Sequence, residues 1–237
     1  MKFSSDLIPA TLVRRYKRFL ADVTLVGNDQ LITVHTPNTG TMLGCAEPGS
    51  RVWLQDSGNP ARKYRLGWEL STSETGTLIG VNTHLANQLV REGIETGVIS
   101  ELQGYEALRQ EVRYGQEGSR IDLLLQHAAR PACYIEVKNV TLLQSERVAA
   151  FPDAVSHRGT KHLRELANLV RQGYRAVLLF CVQRGDADVV EPAREIDPAY
   201  ADTLRMAVKQ GVEVMAYRAQ VTTSEIRLQT RLPFRLA

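Results

Sequence analysis

The sequence carries Arg120-Ile121-Asp122-Leu123 a short way before Cys133-Tyr134-Ile135-Glu136-Val137-Lys138. Both stretches are short apolar runs interrupted by charge, a pattern that predicts strands. Successive side chains of a strand point to opposite faces, so Glu136 and Lys138 share one face. If the two strands form a hairpin, Asp122 can lie on the same side. We therefore expect these three charged side chains to converge.

This convergence predicts a metal-dependent catalytic site. Two neighbouring carboxylates repel each other, and burying them beside an apolar core is costly. A Mg²⁺ or Mn²⁺ ion held by Asp122 and Glu136 relieves that cost, lowers the pKa of a bound water and neutralises charge on a phosphodiester. Lys138 would then stand beside the water or the phosphate. The alternative is that the three side chains form an ordinary ion-pair cluster on a half-exposed sheet face and catalyse nothing.

The pattern D-x(13)-E-x-K resembles the motif of the PD-(D/E)XK nucleases, with Ile121 where the motif name has proline. Around it, helical periodicity covers 85–94 and 163–170, and Asp197-Pro198 opens a third helix that ends at Gly211. Strand patterns cover 105–114, 120–126, 133–142, 176–182, 212–217 and 225–232, with loops at 115–119 and 127–131. The order contains one βαβ crossover and matches the superfamily core. It predicts a restriction-endonuclease-like α/β domain with a mixed central sheet over residues 82–237.

Residues 1–81 have a different pattern, short strands separated by turn residues. The strand-like runs are 10–25, 30–35, 51–55, 64–70 and 77–81. Gly, Pro, Asn and Asp residues break these runs because they supply positive or fixed φ angles. Five short strands without a helix predict an all-β, OB-fold-like barrel that binds nucleic acid. The period changes at Asn82-Thr83, where we place the boundary between the domains.

Basic residues gather in two runs of this predicted barrel, Arg14-Arg15-Tyr16-Lys17-Arg18-Phe19 and Arg62-Lys63-Tyr64-Arg65. On an OB-fold face, cations contact phosphates and aromatic rings stack on bases. Alternatively, the charges form a solvated face and the aromatic residues fill the core, which is our expectation for Phe19.

The segment 151–162 leads into the second predicted helix and supplies further cations. Ligands of α/β sheets collect after the carboxyl ends of strands, and a helix N-terminus favours phosphate, so Arg158, Lys161 and the nearby Asp153 are expected to border the same site. The alternative is a capped helix start with solvated charges. His157 and His162 do not share a helical face, which argues against a histidine metal pair. The predicted nucleic-acid-binding residues are Arg14, Arg15, Tyr16, Lys17, Arg18, Arg62, Lys63, Arg65, Arg158 and Lys161.

The composition favours a folded cytoplasmic protein without a membrane partner. Of 237 residues 43% are hydrophobic, and no apolar run reaches the roughly 18 residues that span a bilayer. The N-terminus lacks a signal-peptide pattern. The three cysteines are scattered, which argues against a disulfide framework or a structural zinc site. The net charge of +3 permits a polyanionic partner without requiring one.

Several sequence blocks together resemble the sugar fermentation stimulation protein A family. They are 15–23, 37–40, 134–138 with 140–142, 151–155 and 161–166. The resemblance runs nearly end to end. It implies an N-terminal OB-fold, a restriction-endonuclease-like domain, sequence-nonspecific binding to double-stranded DNA in the nucleoid, and a role in regulating sugar catabolism, notably of maltose. Glu92 is a candidate for a further acid of the site on the first helix.

The sequence is therefore compatible with three functions. The first is nonspecific DNA binding, and the second is a Mg²⁺- or Mn²⁺-dependent nuclease that uses Asp122, Glu136 and Lys138. The third is saccharide sensing, because OB-folds also bind saccharides and Trp53 and Trp68 could stack on sugar rings. A homodimer is kept open as the assembly.

Overall fold

The N-terminal part of the chain is a closed five-stranded barrel. The structure, a computed structural model, describes residues 1–114 and 118–236. The barrel strands are β1 (Ile8–Tyr16), β2 (Leu20–Leu25), β3 (Leu31–His35), β4 (Arg51–Asp56) and β5 (Leu66–Thr72). A short sixth strand, β6 (Leu78–Gly80), pairs antiparallel with β5. The pairings β1–β2, β2–β3, β1–β4 and β4–β5 are completed by a contact between β3 and β5, which closes the ring. The predicted OB-fold-like barrel is confirmed.

One strand of the sequence prediction is wrong, because 10–25 is a hairpin and not a single strand. The chain turns at Lys17 and Arg18, whose φ angles of 48° and 64° lie in the left-handed region. Glycine or asparagine usually occupies such positions, so residue type gave no turn signal here. A hydrogen bond from the Arg15 guanidinium to the Arg18 carbonyl holds the turn.

A six-stranded mixed sheet forms the centre of the C-terminal domain. Its strands are β7 (Ala107–Tyr114), β8 (Ser119–His127), β9 (Arg130–Val140), β12 (Arg175–Val182), β14 (Glu213–Val221) and β15 (Ile226–Leu232). They lie in the order β15-β14-β12-β9-β8-β7. The strands β9, β12 and β14 are parallel, whereas the other three pair antiparallel to their neighbours. The predicted mixed α/β sheet is confirmed, and the predicted loop 115–119 lies partly outside the described residues.

A second, three-stranded sheet was not predicted. It consists of β10 (Leu142–Ser145), β11 (Val148–Phe151) and β13 (Val189–Pro192), in the order β10-β11-β13. The sequence predicts one strand over 133–142 and a loop from there to the second helix. Each of these strands has only four residues, which is too short for a periodic pattern to show.

Three helices cover the two faces of the central sheet. They are α1 (His84–Glu95), α2 (His157–Arg171) and α3 (Pro198–Lys209). Leu89 of α1 belongs to one apolar core, whereas Leu166 of α2 and Leu204 of α3 belong to the core on the opposite face. The helix α2 connects the parallel strands β9 and β12, as the predicted βαβ crossover requires. In the described part of the chain, no helix combines the length and the apolar character that crossing a membrane needs.

The barrel and the α/β domain are joined by direct contacts. The backbone N–H of Gly80 donates to the carbonyl of Gln183, and a side chain on Gly80 would collide with the Gln183 side chain. The Met1 amino group donates to Glu92 and to the Ile226 carbonyl, so the first residues of the chain lie on the C-terminal domain. Glu92, the candidate for a further acid of the site, is thereby paired with the Met1 amino group at the surface.

Asp197 links the starts of two helices, and we predict that Asp197→Ala destabilises the fold. One carboxylate oxygen accepts from the N–H of Tyr200 in α3, at 2.9 Å, and the other from the N–H of Ser156, the N-cap of α2, at 2.7 Å. The variant should lower the free energy of unfolding by about 1–2 kcal/mol, measured by chemical denaturation. Asp202→Ala, on the exposed face of the same helix, is the matched control and should change it little. Equal effects of the two variants would contradict the capping role.

Candidate nucleic-acid and metal site

A cleft of about 420 Å³ opens where the barrel meets the α/β domain. Its barrel wall is the 38–40 loop, and its other walls come from the start of α1, the ends of β8 and β9, and the start of α2. The lining side chains that carry charge or can carry it are His84, Asp122, Glu136, Lys138, Asp153, Arg158 and His162. The cleft therefore contains all three residues of the predicted catalytic motif.

Asp122 is fixed at the cleft by hydrogen bonds from two elements. Its carboxylate accepts from the backbone N–H of Val137, at 2.7 Å, and from the Asn87 side-chain amide of α1, at 2.9 Å. Burial raises the pKa of Asp122 to about 6, and repulsion by the Glu136 carboxylate acts in the same direction. The hydrogen bond from Val137, the Lys138 ammonium and the hydrogen bond from Asn87 oppose this shift. The two carboxylates thus share one electrostatic environment, as the hairpin argument predicts.

Glu136 organises the remaining charges of the cleft. One oxygen of this buried carboxylate accepts from the Lys138 ammonium at 2.7 Å and from His162 Nδ1. Arg158 Nε lies 3.3 Å from His162 Nε2. A neutral His162 with its proton on Nδ1 satisfies both neighbours, because it accepts from Arg158 and donates to Glu136. Burial would raise the pKa of Glu136, but Lys138 and His162 lower it below its usual range, so Glu136 is ionised at neutral pH.

Several buried polar atoms near Glu136 have no hydrogen-bond partner among the residues that the structure describes. They include the second Glu136 oxygen, both carboxylate oxygens of Glu165 on α2, and the hydroxyls of Tyr114 at the end of β7 and Tyr200 on α3. Burial raises the pKa of Tyr114, and the negative charges of Glu136, Glu165 and Asp122 raise it further. These groups therefore lie in one electronegative region beneath the cleft.

The donor set fits a divalent ion that keeps most of its water ligands. In the ranges that the structure describes, no group of three or more His, Cys, Asp and Glu side chains is placed to hold a metal ion. Mg²⁺ commonly binds through one or two carboxylates and retains several waters. Asp122 and Glu136 supply two carboxylates, and the second Glu136 oxygen has no competing partner.

The rim of the cleft is built by Arg15, which was predicted to contact nucleic acid. Its guanidinium donates to the backbone carbonyls of Asn38, Gly40 and Thr41, at 2.8–3.2 Å. Asp153 holds the same loop from the other domain, since Thr41 Oγ1 donates to its carbonyl at 2.6 Å. Arg15 therefore shapes the 38–40 loop, and its contact with nucleic acid stays a prediction.

The other predicted cations divide into paired and exposed groups. Surface ion pairs occupy Arg14 with Asp22 and Arg65 with Asp56, and Arg18 donates to the Thr39 carbonyl. The Tyr16 hydroxyl donates a hydrogen bond to the Asp22 carboxylate. Exposed cations near the barrel turns are Lys17, Arg62 and Lys63. Of the two cations predicted on α2, Arg158 lines the cleft and Lys161 does not.

Sequence reasoning missed His162 and Glu165 and misplaced Phe19. His162 and Glu165 are three positions apart on α2, so they lie on the same helical face and point toward β9 and β7. The spacing of His162 and Glu165 on one helical face was the available signal in the sequence. Nothing in the sequence shows that this face of α2 packs against Glu136. Phe19 was expected in the core and is 45% exposed.

The tryptophans do not support the saccharide hypothesis. Trp68 is fully buried in the barrel, and its indole N–H donates to the Leu70 carbonyl. Trp53 is partly buried and packs against the core of the α/β domain. Trp68 therefore presents no open face on which a sugar could stack.

The fold and the cleft define a two-domain protein in which an OB-like barrel is joined to a restriction-endonuclease-like α/β domain. Residues 13–81 match the family model for the SfsA N-terminal OB domain, and residues 84–225 match the model for the sugar fermentation stimulation protein RE domain. The chain belongs to the sugar fermentation stimulation protein (SfsA) family.

Relatives of full length support this assignment. A sugar fermentation stimulation protein homolog of Geobacter metallireducens is 57% identical, covering 98% of this chain and 99% of that protein. One from Shewanella sp. strain MR-7 is 53% identical and covers 100% of both chains. The structure of Pyrococcus furiosus SfsA in complex with Ca²⁺ superposes with a TM-score of 0.89 at 26% identity, covering 99% of this chain and 98% of that chain.

We predict that Asp122→Asn stabilises the protein at neutral pH and not in acid. Asp122 has a pKa of about 6 in the folded protein and about 4 in the unfolded chain, so the unfolded chain loses this proton first as the pH rises. Between these two pKa values the free energy of unfolding of the native protein falls with rising pH. Above about pH 6 the lost stability stays constant. Asp122→Asn removes the loss, so the variant should be more stable by about 1–3 kcal/mol near pH 7 and equal near pH 4.

Chemical denaturation in the presence of a chelator, repeated between about pH 4 and pH 7, measures this difference. Asp202→Asn, an exposed acid on α3, is the control and should show no such pH-dependent gain. A uniform destabilisation of Asp122→Asn at every pH would show that its two hydrogen bonds outweigh its burial and repulsion.

Proposed function

We propose that this protein binds double-stranded DNA without sequence preference, along a path from the barrel turns to the interdomain cleft. The observation that carries the proposal is the cleft itself, because its walls combine a barrel loop with Lys138 and Arg158 of the α/β domain. The exposed cations Lys17, Arg62 and Lys63 supply positive charge on the barrel side of this path. Cations on a shared face contact phosphates whatever the base sequence.

Membership of the SfsA family supports a regulatory use of this binding. The family name refers to sugar fermentation, and the resemblance implies a cytoplasmic, nucleoid-associated protein that acts on sugar catabolism, notably of maltose. Nonspecific DNA binding is the molecular activity on which such a role would depend.

Binding should depend steeply on salt, and removing the exposed cations should weaken that dependence. The triple variant Lys17→Ala, Arg62→Ala and Lys63→Ala should lower the slope of log K against log salt by up to about 3, because each lost phosphate contact removes roughly 0.9. Fluorescence anisotropy with a labelled duplex of mixed sequence, measured across a salt series, tests this. Lys209→Ala on α3 is the control cation and should leave the slope unchanged. Absent or salt-insensitive binding by the native protein would contradict the proposal.

A metal-dependent nuclease is the second candidate function. The observation that favours it is the convergence of Asp122, Glu136 and Lys138, with one Glu136 oxygen free of partners. A divalent ion held by Asp122 and Glu136 would activate water and neutralise charge on the scissile phosphate. The Ca²⁺ complex of the Pyrococcus furiosus relative supports a divalent ion in this family.

The chain's own residues then have distinct tasks. Asn87 and the Val137 N–H orient the Asp122 carboxylate, and His162 orients Glu136. The Lys138 ammonium, 2.7 Å from Glu136, is held where it can stabilise a negative phosphate oxygen.

Cleavage should require both the ammonium and the carboxylate. With Mg²⁺ or Mn²⁺, we expect Lys138→Ala and Asp122→Asn each to lower the rate of DNA cleavage by at least about a hundredfold while leaving duplex affinity within a few fold. Gel-based cleavage and anisotropy on the same preparations separate the two effects. Lys209→Ala serves as the control. Cleavage that persists in both variants would belong to a contaminating enzyme and would remove this candidate.

A further inference from the structure

We propose that the exposed ring of Phe19, with His35 beside it, binds an unpaired base, so that DNA with a single-stranded extension binds more tightly than blunt duplex. The inference rests on the proposed DNA binding and names the structure of the preferred substrate. We refer to Phe19, His35, Arg62 and His84 together as the turn patch.

Phe19 is exposed although it lies in a well-defined turn. Its side chain is 45% exposed, and the only ring contact that the structure gives it, among the described residues, is with His35 at 6.3 Å between centroids. An aromatic ring that fills no core contributes no packing to the barrel. A ring with one open face, beside a second aromatic ring, is a stacking platform for a base.

The backbone that carries this ring is held firmly. The Phe19 carbonyl accepts from the Thr36 N–H at 2.9 Å, so the turn is tied to the end of β3. The Arg15 guanidinium bonds both to the carbonyl of Arg18 and to the 38–40 loop, and Arg18 Nε donates to the Thr39 carbonyl at 3.1 Å. A base would therefore stack on a ring whose backbone is already ordered, with little further loss of entropy.

The turn patch leads directly into the cleft. Thr83 Oγ1 donates to the Pro37 carbonyl at 3.4 Å, which brings the start of α1 against the loop that follows His35. Burial lowers the pKa of His35, and the charges of Arg62 and His84 lower it further. His84 also lines the cleft together with Lys138. A strand that stacks a base on Phe19 can thus continue past His35 and His84 to the carboxylates without leaving the surface.

Its charge suits one strand of nucleic acid. Lys17 and Arg18 directly precede Phe19 in the chain, and the charge of the exposed Arg62 lowers the pKa of His35. Phosphates on either side of a stacked base would meet these cations, whereas a paired base within a duplex offers no open face to the ring. The combination of one ring and flanking cations therefore favours an unpaired strand.

The test compares two substrates and four proteins. One substrate is a blunt duplex, and the other is the same duplex with a single-stranded extension of about ten nucleotides. The proteins are the native chain, Phe19→Leu, Phe19→Tyr and the control Tyr174→Leu. The control alters a similarly exposed ring in the α/β domain, directly before β12. Anisotropy at fixed salt gives each Kd, and thermal midpoints confirm that every variant is folded.

We expect the native protein to bind the extended duplex more tightly than the blunt one. Phe19→Leu, which keeps apolar volume but has no ring, should weaken binding to the extended duplex at least about fivefold and leave blunt-duplex binding within about twofold. Phe19→Tyr should retain native affinity, and so should Tyr174→Leu. Only the extended substrate should respond, since only it supplies an unpaired base.

Three results would overturn the inference while leaving DNA binding intact. They are equal native affinity for both substrates, no effect of Phe19→Leu, or an equal loss on both. Failure of the native protein to bind blunt duplex would instead refute the proposed duplex binding, and a remaining Phe19-dependent affinity for the extension would then support the turn patch on its own.

Discussion

Glu136 carries a negative charge although its side chain is only 3% exposed, and the geometry of the cleft follows from how that charge is balanced. A buried, unpaired carboxylate would take up a proton. Lys138, two residues along the same strand, and His162, from the helix packed above it, both lie against one oxygen. The hydrogen bond from His162 to Glu136 therefore ties α2 to β9. The second Glu136 oxygen has no hydrogen-bond partner among the residues that the structure describes.

Asp122 shows the opposite balance in the same place. Burial and the repelling charge of Glu136 raise its pKa, although the hydrogen bonds from Val137 and Asn87 oppose this, whereas the pKa of Glu136 is lowered. Two carboxylates with separated pKa values, beside one ammonium, form the arrangement that we propose as a site for a divalent cation. Structural stability alone would favour apolar residues at these positions. This cost is the physical reason to regard the cleft as a functional site.

The sequence predicted those features that local patterns encode. The barrel, the mixed sheet, the βαβ crossover and the Asp197 cap follow from period, length and residue type. The turn at Lys17 and Arg18 was missed because non-glycine residues adopt left-handed conformations there, stabilised by Arg15 from outside the turn. The four-residue strands were missed because a periodic pattern needs more residues. His162 and Glu165 were missed because the contact of α2 with β9 is a long-range packing relation that neither segment records alone.

The hydrogen bonds made by the arginines explain why the number of charges in a sequence segment is a poor guide to the binding surface. A guanidinium has five donors in a planar fork, and Arg15 and Arg18 direct theirs to backbone carbonyls of the 38–40 loop. Those carbonyls have no strand partner, so the arginines supply the hydrogen bonds that a β-ladder would otherwise provide. The loop in turn forms the barrel side of the cleft, where Asp153 leaves no room for a side chain on Gly40. Arg15 and Arg18, which look like part of a phosphate-binding run, thus hold the barrel side of the cleft, and the surface that we propose to meet DNA is smaller, more exposed and includes the ring of Phe19.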